Sequence, residues 1–528
     1  MRTDDEAAIV PAMDLSALDG ITDPQALRAL LADAQAIIAH KDALLSQRDQ
    51  SIERKEALIG QLRREIARLR RLQFSARSER MDPEQRQLFE ETMAADIAAV
   101  EAQLEALSAE GQSSGQIQQP RKASGRKPLP EHLARVEVRH EPACCTCPQC
   151  DGALVAIGEH VSERLACKPL DFYVRRDVYP QYACKACEQV VAEPVAAAII
   201  ERGQADASLL AQVTIAKYVD HLPLYRQEAI YARSGIELKR STLAEWIGAI
   251  GVALQPLADR LGERLRQQPV LHADETPVAM LDPGAGKTKR AYLFAYRSAA
   301  DPPEVVFDFR TSRSGAHVRQ FLGHWRGSLM VDDYGGYKAG FAGGITELGC
   351  WAHARRKWHD QYADSGSAIA AEALARMAVL YRIEQACRDM GADARHAYRQ
   401  EHAVPVLDAL KQWLDQLHPT VAGSSGTGKA LAYTLRRWDA LVRYADDGRY
   451  PIDNNPIENA IRSIALGRKN WLFAGSEQAG KRAAAIMSLL ATAKANGIDP
   501  HAWLTDTLAR LPTTLDRDID TLLPLRQD

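Results

Sequence analysis

The chain has 528 residues and is 46% apolar, which leaves room for two to four domains and at least one large core. Its 66 basic and 69 acidic residues leave a net charge of −3, which neither indicates nor excludes nucleic-acid binding, because placement of charge decides that. Asp4, Asp5 and Glu6 stand where an export signal would be apolar, and no apolar run approaches the roughly eighteen residues of a membrane span, so a cytoplasmic protein is expected.

Residues 25–80 are the first predicted unit, a basic helix. Leu31, Ile38, Leu45, Ile52, Ile59 and Ile66 recur every seven residues as a heptad a column. The d column (Ala34, Lys41, Arg48, Lys55, Leu62, Leu69) is apolar mainly near its end. A loose coiled coil, tighter after Ile59, fits this pattern; so does a helix packed on its own chain. Ser51–Arg80 carries a net charge of +5. Arg63, Arg64, Arg70 and Arg71 there are either a solvated face or contacts to DNA phosphates. Residues 108–130 read as a flexible basic linker, with too little apolar surface to pack. Arg126 and Lys127 lie in its basic end, which suits a DNA minor groove.

Seven of the nine cysteines fall between Cys144 and Cys187. In a reducing compartment such clustering favours metal over disulfides. Within residues 140–195, Cys147-x-x-Cys150 and Cys184-x-x-Cys187 each present two thiolates from one tight turn, the donor set of one tetrahedral structural zinc. The sequence between them alternates as strands do, as in Phe172–Val174 and Val178–Tyr182, so the unit reads as a zinc ribbon. Cys144-x-x-Cys147 is a competing pair, and Cys167 reads as a buried thiol.

Residues 200–268 are predicted helical. Ser241–Trp246 has the form of a capped helix start, which allows a helix-turn-helix or an ordinary helical connector. From residue 269 the period changes. Val270–Asp274, Arg290–Tyr296 and Glu304–Phe309 read as strands, Ser314–Leu322 as a helix, Ser328–Asp332 as a fourth strand and Gly344–Cys350 as a fifth. That order is the order of a ribonuclease H-like core, expected over 269–480 with a helical insertion at about 360–440. Residues 481–528 are then a C-terminal helical tail. Gly423–Lys429 fits a phosphate-loop spacing, but Ala430 lacks the metal-binding hydroxyl and no strand precedes it, so it reads as a loop before a helix starting at Ala430.

Asp274 ends the first predicted strand and Asp332 the fourth, and these strands are neighbours in such a fold. Glu458 falls in the first turn of a helix opened by Asp453-Asn-Asn455-Pro456. Three carboxylates gathered from distant segments suit a pair of magnesium or manganese ions for phosphodiester transfer, with Asp274 bridging both. His353, Arg355, Arg356, Lys357, Arg462, Arg468 and Lys469 are candidates to hold DNA phosphates. Trp351, Trp358 and Trp471 are either base-stacking groups or core.

Several longer motifs carry a resemblance. They are His272–Pro277, Asp332–Tyr337, Cys350–Lys357, Ile452–Glu458, Leu466–Gly475 and Ala491–Pro500, with Gln73–Arg80 at the front. Together they resemble the TnpC-type large transposase of a bacterial insertion-sequence family (family sixty-six), one of the DDE transposases, over nearly the whole chain. The resemblance implies a multidomain α/β protein that cuts and joins DNA, with Asp274, Asp332 and Glu458 as its triad. It selects Asp332 over Asp333, because Tyr334 fixes the register, and Glu458 over Glu477. It implies double-stranded DNA partners, namely inverted-repeat element ends and target DNA. It also implies small accessory proteins of the element and a location at the bacterial nucleoid, while the heptad pattern of residues 25–73 points to a homo-oligomer. Two departures stand out: Asp333 replaces a usual glycine, and Asn459 a common arginine. They keep open a DNA-binding protein without catalysis, or a nuclease that cuts without joining.

Overall fold

The structure is a computed structural model that describes residues 24–75, 83–109, 129–131, 133–141, 147, 150, 153–168, 171–200, 203–282, 287–471 and 473–526. Arg126, Lys127, Cys144 and Cys145 lie outside the described residues, as do the side chains of Arg71 and Trp471.

Helix α1 (Pro24–Ser75) spans the heptad region, and α2 (Pro83–Ala109) packs against its end. Leu62, Ile66 and Leu69 of α1 meet Leu88, Phe89 and Met93 of α2. After Ile59, then, the apolar stripe is buried by the helix's own chain. Upstream, Ile38, Leu45 and Ile52 remain 59%, 56% and 48% exposed, a stripe that a single chain leaves uncovered.

The cysteine region forms a four-stranded sheet from β1 (Arg135–Arg139), β2 (Leu154–Lys168), β3 (Asp171–Cys184) and β4 (Val190–Ala192). Its order is β1-β3-β2, with β4 also paired to β3. Buried Asp177 at the centre of β3 takes ion pairs from Arg164 and Arg175 and a 3.0 Å contact from His140.

Helices α3 (Ala207–Tyr218), α4 (Leu224–Arg233) and α5 (Arg240–Leu265) follow. The segment from Ser241, a candidate groove-reading second helix, has a different role. Leu243, Ile247, Ile250, Leu254, Leu257 and Leu261 of α5 are all buried in the largest core cluster. On its other side α2 crosses at Gly248, where an added Cβ would lie 2.4 Å from the Ala95 carbonyl oxygen. Along this face the helix is a core strut, while Ser241, Glu245, Gln255, Asp259 and Glu263 stay exposed.

The catalytic-type core has β5 (Val270–Asp282), β6 (Lys287–Ser298), β7 (Val305–Arg310), α6 (Gly315–Leu322), β8 (Ser328–Val331), α7 (Lys338–Ala342), β9 (Thr346–Gly349) and α8 (Trp351–Ser365). The helical insertion is α9 (Ala368–Ala386), α10 (Ala392–His402), α11 (Val404–Leu417), α12 (Gly426–Arg436) and α13 (Trp438–Val442). The chain closes with α14 (Asn455–Trp471), α15 (Glu477–Ala495) and α16 (Pro500–Arg510). The five strands run β7-β6-β5-β8-β9, antiparallel from β5 to β7 and parallel from β5 to β9. This is the mixed α/β ribonuclease H-like core.

Period-two alternation places its two faces. Phe294 and Tyr296 of β6 join the cluster containing α5 and α6, while Leu293 and Ala295 join Ile457, Ile461 and Ile464 of α14. Three boundaries differ from expectation. Strand β5 runs on to Asp282, so Asp274 is mid-strand and not its end. Helix α12 starts at Gly426, four residues before Ala430, because Ser425 caps it through the Gly428 amide. Helix α15 begins at Glu477 and is part of the core, not a tail. Its Ser488 and Thr492 hydroxyls accept from the Phe307 and Val305 amides, covering the edge of β7.

Candidate active site

Parallel pairing sets the first two acids. The β5–β8 register matches Val270 to Ser328, Leu271 to Leu329 and His272 to Met330. Two more steps along that register set Asp274 opposite Asp332, the first residue past β8. Local hydrogen bonds orient both: Asp274 accepts from the Glu275 amide at 2.8 Å, and Asp332 from the Tyr334 amide at 2.8 Å.

Glu458 arrives on α14, and Asn454 joins that helix to the sheet. Its Nδ2 donates to the Ala273 carbonyl at 2.9 Å, and its Oδ1 accepts from His272 Nδ1 at 2.9 Å. Burial depresses His272 to about 4, so its imidazole is neutral and serves as a donor. Asp453 caps the same turn through the Asn455 amide and is held by Tyr381 from the insertion. The sequence gives the Asp453-Asn-Asn455 run a helix-capping role only, and the tie from Asn454 to the sheet went unremarked. Its signal was the Asp-Asn-Asn run itself, since one capping residue would have sufficed.

Burial pushes Asp274 up to about 7, and the charges of Glu275, Asp332 and Glu458 push in the same direction. The three acids are therefore electrostatically coupled. Their carboxylate oxygens do not all lie within 4.8 Å of one another. Glu275 is held by Arg313 through a 2.8 Å bond from Nε and by the Tyr337 hydroxyl at 3.0 Å. Arg313 also lies 3.9 Å over the Tyr334 ring. Arg313 went unremarked in the sequence because nothing local ties it to a strand 38 residues earlier.

Asp333 turns away from the three acids. It pairs with Arg436 and, at 3.5 Å, with Arg437, both from the insertion. Arg437 is buried and also pairs with Glu347 and with the Asp332 carbonyl. The departure from glycine is thus absorbed by two arginines that sequence reading did not single out.

The basic candidates separate by location. Arg355 and Arg356 line a cleft of about 420 Å³ beside Asn455, together with His359 and Tyr381. Glu458 is approached by Arg356 at 3.8 Å and by His353 at 3.5 Å. Lys357, Arg462 and Lys469 are exposed. Arg468 instead ties α14 to the Pro277 carbonyl at 2.7 Å. Arg63 and Arg64 are exposed on α1, while Arg70 pairs with Glu101 of α2. Trp351 and Trp358 are core residues: each is fully buried, with indole N–H donated to the Leu441 carbonyl or the Thr434 hydroxyl. A second cavity of about 550 Å³ is lined by α15 and the opposite helices and includes none of the three acids.

The four paired cysteines gather as their spacing predicts. Cys147 and Cys187 sulfurs lie 3.3 Å apart, and Cys150 lies 3.4 Å from both Cys184 and Cys187. All four fall within 4.8 Å, close to the roughly 3.8 Å sulfur separation that 2.3 Å zinc–sulfur bonds require. The Cys187 and Ala186 amides donate to Cys184 and lower its thiol to about 6, which favours the thiolate that zinc binds. Cys167 is separate and buried, raised by burial to about 12.

Comparison with known proteins agrees with this layout. Residues 202–482 match the family described as "Transposase IS66 family", and residues 488–525 its C-terminal element. Residues 145–188 match "zinc-finger binding domain of transposase IS66", and residues 61–138 match "Transposase C of IS166 homeodomain". Two uncharacterized proteins of Sinorhizobium fredii (strain NBRC 101917 / NGR234) are similar along most of their length. Protein y4qI is 38% identical over 477 residues, 86% of this chain and 87% of its own. Protein y4jD is 39% identical over 415 residues, 75% of this chain and 81% of its own. No described helix is long and apolar enough to cross a membrane. With its ribonuclease H-like sheet, four-cysteine cluster and family matches from residue 61 to residue 525, the chain belongs to the IS66 family of DDE-type transposases.

Proposed function

We propose that Asp274, Asp332 and Glu458 are the triad of this transposase and hold a pair of magnesium or manganese ions. The observation that carries this reading is the Asp274–Asp332 register, with Glu458 fastened to the same strand by Asn454. Three mutually repelling carboxylates, one of them raised to about 7, fit a site that cations neutralise. When bound, the ions supply Lewis acidity at the attacking and leaving oxygens of an in-line displacement.

The protein's own groups do the rest. Arg313 and Tyr337 fix Glu275 beside Asp274 and so restrict the strand that carries the first ligand. Arg355, Arg356 and His359 line the cleft next to Glu458, where a DNA phosphate fits by charge. The substrates are the inverted-repeat ends of the element and a target duplex. The Ile38, Leu45 and Ile52 stripe is where a second copy would add its own heptads.

The direct test supplies terminal-repeat DNA with magnesium and scores 3′-end cleavage and strand joining. Asp274→Ala is expected to lose several kcal/mol of transition-state stabilisation, roughly a thousandfold or more in rate. Equal rates for both proteins would remove Asp274 from the reaction.

A further inference from the structure

Glu458 has a second set of neighbours besides the two aspartates. Cys350 caps α8, His353 lies in the first turn of that helix, and both face the Glu458 carboxylate. Ligand atoms of the three residues all lie within 4.8 Å of one another. His353 Nδ1 and Glu458 Oε1 are 3.5 Å apart, and both atoms are buried. Among the described residues neither has a hydrogen-bond partner, so two polar atoms are desolvated and face each other without a bond.

We propose that Cys350, His353 and Glu458 form a second transition-metal site, selective for zinc-class ions over magnesium, that competes with the triad for Glu458.

The spacing fits this use. Two ligands on an ion with bonds of about 2.1 Å stand about 3.4 Å apart in tetrahedral geometry. That matches the observed 3.5 Å, which is long for a hydrogen bond. A thiolate, an imidazole and a carboxylate are the ligands that suit zinc, whereas magnesium takes oxygen donors. Cys350 and His353 come from one helix start, three residues apart. The Asn454 amide already donates to Cys350 Sγ at 3.2 Å, the kind of outer contact that orients a metal ligand. Binding forms a metal–sulfur bond and releases the Cys350 thiol proton to water; nothing is oxidised or reduced. Glu458 Oε2 faces Arg356 at 3.8 Å, so the ion is held through Oε1.

The site itself does not depend on the triad, but the competition rests on Glu458 serving there. Zinc is therefore measured first in the full chain, after dialysis against a slight excess and removal of loose metal. Wild type is expected to hold two zinc ions per chain, and Cys350→Ser and His353→Asn one each, with unchanged circular dichroism. Cobalt substitution gives a second readout: Cys350→Ser should remove one thiolate's share of the charge-transfer absorbance and leave that of the four-cysteine cluster. One zinc per wild-type chain, or two in Cys350→Ser, overturns the site. Zinc is next titrated into magnesium-supported cleavage, where Cys350→Ser should need at least about tenfold more zinc for half-inhibition. Two zinc ions without inhibition would uphold the site and overturn the competition, and with it the role of Glu458 in the triad.

Discussion

The four cysteines come from two turns closely bracketing one β-hairpin, whereas the three acids come from a strand centre, a strand end and a helix start up to 184 residues apart. The sulfurs already touch, and an ion would complete a closed tetrahedron. The carboxylates stay farther apart, and neutral groups hold their elements together: His272, Asn454 and the Ala273 carbonyl. The first centre would be stabilised by a zinc ion on its four cysteines. The second is stabilised by the core around it and strained by its own charge.

The largest expected effect tests the first half of that contrast. Structural zinc contributes about 10–16 kcal/mol of apparent binding in small zinc modules. Cys147→Ser, at a fully buried position, should therefore cost the module its zinc and its protease resistance. The five-stranded core should keep its circular dichroism. Loss of both together would mean that the two centres do not fold independently.

The second test uses charge. Asp274 is raised from 3.8 to about 7, chiefly by burial. A raised carboxyl stabilises the folded state fully below its unfolded value, and the contribution is lost as pH rises through the folded value. In magnesium-free buffer, urea stability should fall between about pH 4 and pH 7, by up to about 4 kcal/mol. Glu275, also raised by burial, adds in the same direction. Asp274→Asn should flatten this slope, and magnesium should reverse it in the wild type. A slope that survives Asp274→Asn would place the strain elsewhere.

The third test cuts the neutral scaffold. Asn454→Ala leaves the His272 imidazole and the Ala273 carbonyl buried without their partner, costing about 2–3 kcal/mol. The urea midpoint should drop, and strand cleavage should drop with it, because Glu458 loses its tie to the Asp274 strand. A lower midpoint with full cleavage would show that Glu458 is positioned by other contacts.

These differences also explain what could be read from sequence. Metal-ligand spacing is a local property, so the cysteine pairs were legible at once. Strand order carried Asp274 and Asp332 together because a parallel register propagates from the alternation of buried residues. Glu458 needed a long-range bond from Asn454, which leaves only a capping pattern in the sequence. The role of α5 stayed open in the sequence for a related reason. A capped amphipathic start looks the same whether the helix enters DNA or a core, and only its packing on α2 and the sheet decides. Arg313 and Arg437 act across 38 and 90 residues, and no local pattern marks either.

The smallest expected effect concerns Asp333, where the family resemblance implies a glycine. Its partner Arg436 is 61% exposed, and exposed ion pairs contribute between zero and about 1 kcal/mol. Buried Arg437 keeps Glu347 and the Asp332 carbonyl when Asp333 is removed. Asp333→Gly should therefore change the urea midpoint by no more than about 1 kcal/mol and leave cleavage within a few-fold of wild type. Measured beside Arg437→Ala, which strands Glu347 and frees the Asp332 loop, it separates two roles for the insertion. If Asp333→Gly alone abolishes cleavage, the insertion holds the loop of the second aspartate through Asp333. If only Arg437→Ala does so, the grip is on the Asp332 backbone, and Asp333 is a tolerated passenger beside it.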